Sequence, residues 1–178
     1  EQLRDGARET VEALKANGME IWMISGDKKE KADRIAGLLG IENVLYEVKP
    51  SDKSDKVKAL QAQGKKVCFI GDGINDSPAL VCADIGIALG CGTDIAISSA
   101  DVMIVGSSIE SVKTVFDVSA ATMRNVRQNL VWALIYNIIC IPLAASGIIN
   151  PSIAAAAMAL SSNGVLLNAL RLKNYGKQ

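Results

Sequence analysis

From Gln128 to Leu170 the chain runs for 43 residues without a formal charge, and this stretch limits the possible folds more than any other feature. Asn150-Pro151 divides it into "NLVWALIYNIICIPLAASGII" and "SIAAAAMALSSNGVLLNAL", each about 20 residues long. A helix of that length spans roughly 30 Å, the thickness of a bilayer's hydrocarbon. A pair of helices buried in a soluble core would still show a polar stripe on one face, and neither piece has one. Arg124 and Arg127 precede the first piece; Arg171, Lys173 and Lys177 follow the second. A hairpin with both basic ends in the cytoplasm satisfies the positive-inside rule. Residues 128–170 are therefore expected to form two transmembrane helices, with 171–178 as a cytoplasmic tail.

The charge balance also divides the chain. Net charge is zero overall, but residues 119–178 hold five basic and no acidic groups, so the first 118 residues carry about −5. The four cysteines show no CxxC spacing and histidine is absent, which argues against a zinc site and a disulfide framework. The opening residues "EQLRDGARET" are polar and charged and give no expectation of a secretory signal.

The first 106 residues alternate helical and strand patterns. "GARETVEALKANG" places Ala7, Val11 and Leu14 at helical spacing, with Gly18 to close the helix. "MEIWMI" reads as a buried strand ending at Ser25-Gly26-Asp27. A charged helix is expected from Lys28 to Leu39, then a short strand near Val44–Val48. A further helix over "KPSDKSDKVKALQAQG" has Ser51 or Asp52 as N-cap. "KVCFI" is the next strand, followed by a short helix over 75–83 and two more strands, "IGIAL" and "VMIVG". Such alternation predicts a parallel sheet of Rossmann-like α/β type. A helical stalk is expected over 107–127.

In open α/β sheets, ligands bind beyond the carboxyl ends of the strands. Two polar clusters fall there: Ser25-Gly26-Asp27, and Gly71-Asp72-Gly73 with Asn75 and Asp76. A dinucleotide fingerprint would require glycine at position 76. A calcium loop of the EF-hand type fails at Pro78 and Ala79. Clustered carboxylates on glycines suit a hard divalent cation such as Mg²⁺ with a phosphate as its other ligand, and glycine lets the backbone approach phosphate oxygens. Lys53 is a candidate to neutralise that phosphate, and the Ser25 hydroxyl could donate to it.

The strings "MISGD", "KPSDKSDKV" and "GDGINDSPAL" resemble, in order and spacing over residues 3–106, the phosphorylation domain of P-type ATPases, members of the haloacid dehalogenase-like superfamily. The resemblance implies Asp72 as Mg²⁺ ligand, Asp76 completing the acidic site, and Lys53 against the phosphoryl oxygens. It makes Ser25 the counterpart of the usual threonine, and it places Gly26, Asp27, Gly71, Gly73 and Asn75 in the loops that hold the nucleotide's phosphate. ATP is the implied substrate. The family's nucleophilic aspartate lies in D-K-T-G-T, a string this chain lacks, so the chain alone is expected to be inactive and to be a C-terminal part of a longer pump or one piece of a split one. Without its nucleophile strand the sheet is expected to show an exposed edge.

The hairpin points to a cargo. Met158 and Ser162 stand at i, i+4 and share a helical face. A thioether favours Cu(I) over harder cations, and no carboxylate, lysine or histidine lies in either span. "IYNIICIP" and "AMALSSNGVLLNALRL" resemble the seventh and eighth membrane helices of the copper-transporting heavy-metal branch, whose zinc and cadmium relatives carry a lysine and an aspartate instead. By that resemblance Tyr136, Asn137, Met158 and Ser162 are copper-site residues; Cys140 is a small packing residue or a further soft ligand. The resemblance implies ATP-driven Cu(I) export through an aspartyl phosphate. The implied partners are the actuator, nucleotide-binding and first membrane segments of the pump, the lipid bilayer and a copper chaperone, with no nucleic acid. The expected location is the plasma membrane, with residues 1–127 cytoplasmic. The competing expectation is a catalytically dead, membrane-anchored copper-binding regulator.

Overall fold

The computed structural model of the protein describes residues 3–72, 75–90, 98–106, 108–148 and 150–172. The chain divides into two compact units, residues 1–113 and 114–178.

The first unit begins with α1 (Ala7–Ala16), which buries Ala7, Thr10 and Leu14. Gly18 adopts φ 81°, and its amide reaches the Lys15 carbonyl at 2.9 Å, closing the helix as expected. Strand β1 (Trp22–Ile24) is half the length expected and only half-buried. Residues before it are occupied otherwise: Glu20 accepts from Trp22 Nε1 and pairs with Lys65, which keeps this part of the chain at the surface. Helix α2 (Lys29–Leu39) ends on Gly40 at φ 71° and leads to β2 (Asn43–Leu45). A short 3₁₀ turn over Pro50–Asp52 precedes α3 (Lys53–Ala62). Asp52 does hold the N-cap position of α3, but its side chain makes no capping bond; it accepts instead from Ser51 Oγ at 2.8 Å.

The remaining elements are β3 (Cys68–Gly71), α4 (Ser77–Cys82), β4 (Ile85–Leu89) and β5 (Val102–Ile104). Every pairing is parallel, as the alternation predicts, but there are two sheets, β1-β2 and β3-β4-β5, where one was expected. Among the described residues no strand pairs with the second edge of β1 or of β3. The core gathers Val57 from α3, Phe69 from β3, Ala79 and Leu80 from α4 and Ala88 from β4, with Ile24 packed against them. Gly86 permits the close seat of α4 on β4, because a Cβ there would stand 2.6 Å from the Leu80 carbonyl oxygen.

Helix α5 (Glu110–Ala145) runs without a break for 36 residues, so the expected stalk and first membrane span are one helix. Among the described residues it is the helix long and apolar enough to cross a membrane. Pro142 lies inside it. The second unit holds most of α5 and then α6 (Pro151–Arg171), whose N-terminus is capped by Asn150 Oδ1 accepting from the Ser152 amide at 3.1 Å.

Candidate phosphoryl and cargo sites

Strand β3 ends at Gly71 and delivers Asp72, Asn75 and Asp76 to its carboxyl end. Asp76 folds back over the strand: a Cβ at Gly71 would lie 2.6 Å from its Oδ2. Only glycine leaves that space. The Asp76 carboxylate meets Lys53 Nζ at 2.6 Å, and the two side chains are only 12% and 18% exposed. Lys53 reaches this point from the first position of α3, 23 residues before Asp76 in the sequence. A cation and an anion are thus held together, largely desolvated, where a phosphate of a ligand would arrive.

Ser25 and Asp27 form a second cluster after β1. The Ser25 hydroxyl donates to Asp27 Oδ2 at 3.2 Å, the Asp27 amide donates back to Ser25 Oγ at 3.1 Å, and Lys31 Nζ donates to Asp27 Oδ1 at 2.9 Å. The bond from Lys31, outweighing partial loss of hydration, and the bond from Ser25 hold the Asp27 carboxyl below its ordinary 3.8. The turn is pinned by the Ser25 amide on the Leu45 carbonyl, and by the Glu47 and Val48 amides on the Asp27 and Ser25 carbonyls. Gly26 has the Val48 carbonyl oxygen 3.4 Å from where a Cβ would sit. Lys31 was not singled out from the sequence, although its i, i+4 spacing from Asp27 was the available signal.

The structure therefore joins Lys53 with Asp76, and Ser25 with Asp27. Asp72 and Asn75 are exposed at the same strand end as Asp76, and Gly73 lies outside the described residues. No group of three or more acidic, thiol or imidazole side chains converges on one point among the described residues. The donor set still suits Mg²⁺, which keeps several waters and takes one or two carboxylates plus a phosphate. Asp72 supplies such a carboxylate, beside the pair that Asp76 makes with Lys53.

In the second unit Asn137, Met158 and Ser162 are all exposed, Met158 to 63%. The Ser162 hydroxyl donates to the Met158 carbonyl at 3.1 Å, one turn back on α6. The Tyr136 side chain lies outside the described residues. Cys140 is a half-buried free thiol on α5.

Comparison with known proteins gives this geometry a family. A haloacid dehalogenase-like hydrolase profile matches residues 1–84. The copper-exporting P-type ATPase of Staphylococcus aureus (strain JH9) is 48% identical over 171 residues, covering 96% of this chain and 21% of that protein. The chain thus spans about a fifth of the length of the curated relatives it matches. Among solved structures, a zinc-transporting PIB-type ATPase in the E2.Pi state superposes with a TM-score of 0.88 at 34% identity. That match takes in 97% of this chain and 28% of the other. The catalytic CPx-ATPase domain CopB-B matches 56% of this chain and 40% of its own, with a TM-score of 0.51 at 37% identity. Sequence and fold together place the chain among the P-type ATPases, as a segment whose first half carries the haloacid dehalogenase-like fold.

Proposed function

We propose that this chain is the C-terminal part of a pump that exports Cu(I) across a membrane at the expense of ATP, through an aspartyl phosphate formed on a residue outside the chain. The observation that carries this reading is the Lys53–Asp76 pair at the end of β3. A largely desolvated cation at the carboxyl end of a strand, next to the Asp72 carboxylate, is the arrangement that receiving a phosphate calls for. This also weighs against a catalytically dead regulator.

In this reading residues 1–106 are the phosphorylation domain, 107–127 the stalk, 128–170 two membrane helices and 171–178 a cytoplasmic tail. Asp72 would hold Mg²⁺, and Gly71, Gly73 and Asn75 would belong to the loop that receives the phosphate. Mg²⁺, if bound there, would supply positive charge that offsets the charge of the phosphoryl group. The Lys53 ammonium exchanges part of its bond to Asp76 for the incoming phosphoryl oxygens, a preorganised charge that needs no large rearrangement. The Ser25 hydroxyl, oriented by Asp27 and Lys31, donates to the same group, while Gly26 keeps its approach clear.

Tyr136, Asn137, Met158 and Ser162 would receive the cargo. The zinc-transporting relative shares the fold, so the backbone does not separate the metals; the side chains do. Between residues 128 and 170 there is no carboxylate, lysine or histidine, and the thioether of Met158 is a soft donor. The partners are the remaining segments of the pump, the bilayer of the plasma membrane and a copper chaperone.

The test uses the whole pump in membrane vesicles with radiolabelled ATP, quenched in acid. Cu(I) should raise the acid-stable phosphoprotein several-fold, and Zn²⁺ should not. Stimulation by Zn²⁺ alone would overturn the cargo assignment, and absence of any phosphoprotein would overturn the reaction.

A further inference from the structure

Four amide side chains join α5 to α6 at the basic end of the helix pair. Asn168 Nδ2 donates to Asn129 Oδ1 at 2.9 Å and, more weakly, to Gln128 Oε1 at 3.4 Å. Asn129 Nδ2 donates in turn to Asn125 Oδ1 at 3.0 Å. Asn125 Nδ2 donates to the Asn168 backbone carbonyl at 2.7 Å. The three asparagines are half-buried. That last bond has a backbone cause. Asn168 carries one of the four last carbonyls of α6, which have no amide of the helix to accept from by right. The amides that close α6 go to Ala169 and Leu170, and the Asn168 carbonyl is taken by a side chain from α5. The network thus caps one helix with another.

The clamp also sets a register. From Asn129 to the end of α5 at Ala145 is 16 residues; from Asn168 back to the start of α6 at Pro151 is 17. The arms between clamp and turn are therefore equal within one residue. Measured along the helices from the clamp at about 1.5 Å per residue, Asn137 lies about 12 Å away on α5. On α6, Ser162 lies about 9 Å and Met158 about 15 Å from it. The depth of Asn137 falls between the two.

We propose that Asn125, Asn129 and Asn168 are positioning residues for the transported ion: by fixing the register of α5 and α6 they bring Asn137 to the depth of Met158 and Ser162. This rests on the reading of those residues as the cargo site. A slip of one turn, about 5.4 Å, would carry Asn137 past one of its two companions.

The test is a double-mutant cycle in the full-length pump, with Asn129→Ala, Asn168→Ala and the pair. Three readouts are taken: the metal concentration for half-maximal ATPase activation with Cu(I), Ag(I) and Zn²⁺; maximal activity; and phosphorylation by inorganic phosphate without metal. Each single variant should raise the activating concentration about tenfold, and the pair should do no more than either alone, because both break the Asn168–Asn129 bond on which the register depends. Phosphorylation by inorganic phosphate should stay within twofold of the parent. Asn168→Gln, which keeps the donor, should recover most of the activation and serves where the alanine variants fail to assemble. Unchanged activation, additive effects, or equal loss of activation and phosphorylation in the glutamine variant would overturn the proposal. The parent's own metal preference is read separately. A parent activated only by Zn²⁺ sinks the copper assignment while the clamp is still judged on Zn²⁺, and a parent that no metal activates removes both.

Discussion

The two units hold the polar side chains proposed for chemistry in opposite ways. In residues 1–113 those candidates already hold one another: Lys53 is fixed on Asp76, and Ser25 and Lys31 both on Asp27. In residues 114–178 Asn137, Met158 and Ser162 stand exposed, and the Ser162 hydroxyl is satisfied by its own helix. A strand end with its following loop can preorganise a charge locally. Two helices can set depth and register, but they leave open the side of the site where further ligands would stand.

The largest break in this comparison should come from Lys53→Ala. It leaves the Asp76 carboxylate nearly buried without its cation, at a cost of about 3 kcal/mol in stability, readable as an earlier urea transition of residues 1–113. In the whole pump the phosphoprotein formed from ATP should fall about 100-fold, the scale for losing one preorganised charge. Met158→Leu should do the reverse. Volume is conserved, so stability should change by less than about 1.5 kcal/mol, while the Cu(I) concentration for half-activation rises about tenfold with phosphorylation by inorganic phosphate intact.

Glycine-to-alanine exchange sharpens the contrast, because one substitution should act with opposite signs. Gly71→Ala drives a methyl into the Asp76 carboxylate and should destabilise by about 1–3 kcal/mol. Gly164→Ala meets no atom within 4 Å and should strengthen α6 by about 0.5–1 kcal/mol, seen as greater helicity of the segment in detergent. A loss at Gly164 in the full pump would show another helix seated on that face.

The smallest effect concerns Cys68. Burial, with the nearby Asp101 charge, pushes its thiol from 9.0 up to about 11. Its folded value lies above the unfolded one, so its contribution is complete below pH 9 and is lost as pH rises through 11. Alkylation by iodoacetamide at pH 8.5 should therefore be slower for Cys68 than for a free thiol, and Cys68→Ala should remove part of the stability lost between pH 9 and 11.

What the sequence disclosed depended on how locally each feature is encoded. Gly18 and Gly40 mark helix ends because the left-handed conformation they adopt is written in one residue. The N-cap position of Asp52 was legible, but not that its carboxylate would turn to Ser51. The length of β1 was overestimated because apolar Met19 and Ile21 look like strand, while the tie of Glu20 to Lys65 acts across 45 positions of sequence. Lys53 and Asp76 are 23 residues apart; the sequence suggested both beside one phosphate, but not that they would pair with each other. The asparagines of α5 and α6 left no trace at all. An amide in an apolar run has no periodicity to betray it, and its partner lies 39 to 43 residues on.

Pro142 gives α5 a mechanical character that its length conceals. Without an amide at 142 the Ile138 carbonyl loses its rung, and the proline ring presses on that same carbonyl. The Pro142 carbonyl still accepts, from the Ser146 amide at 3.0 Å just past the end of the helix. Compliance is thus gathered into a single turn of an otherwise stiff rod. Asn137 lies on the same side of that notch as the amide clamp, so bending at the notch would leave the residues proposed to hold the ion in their bearing.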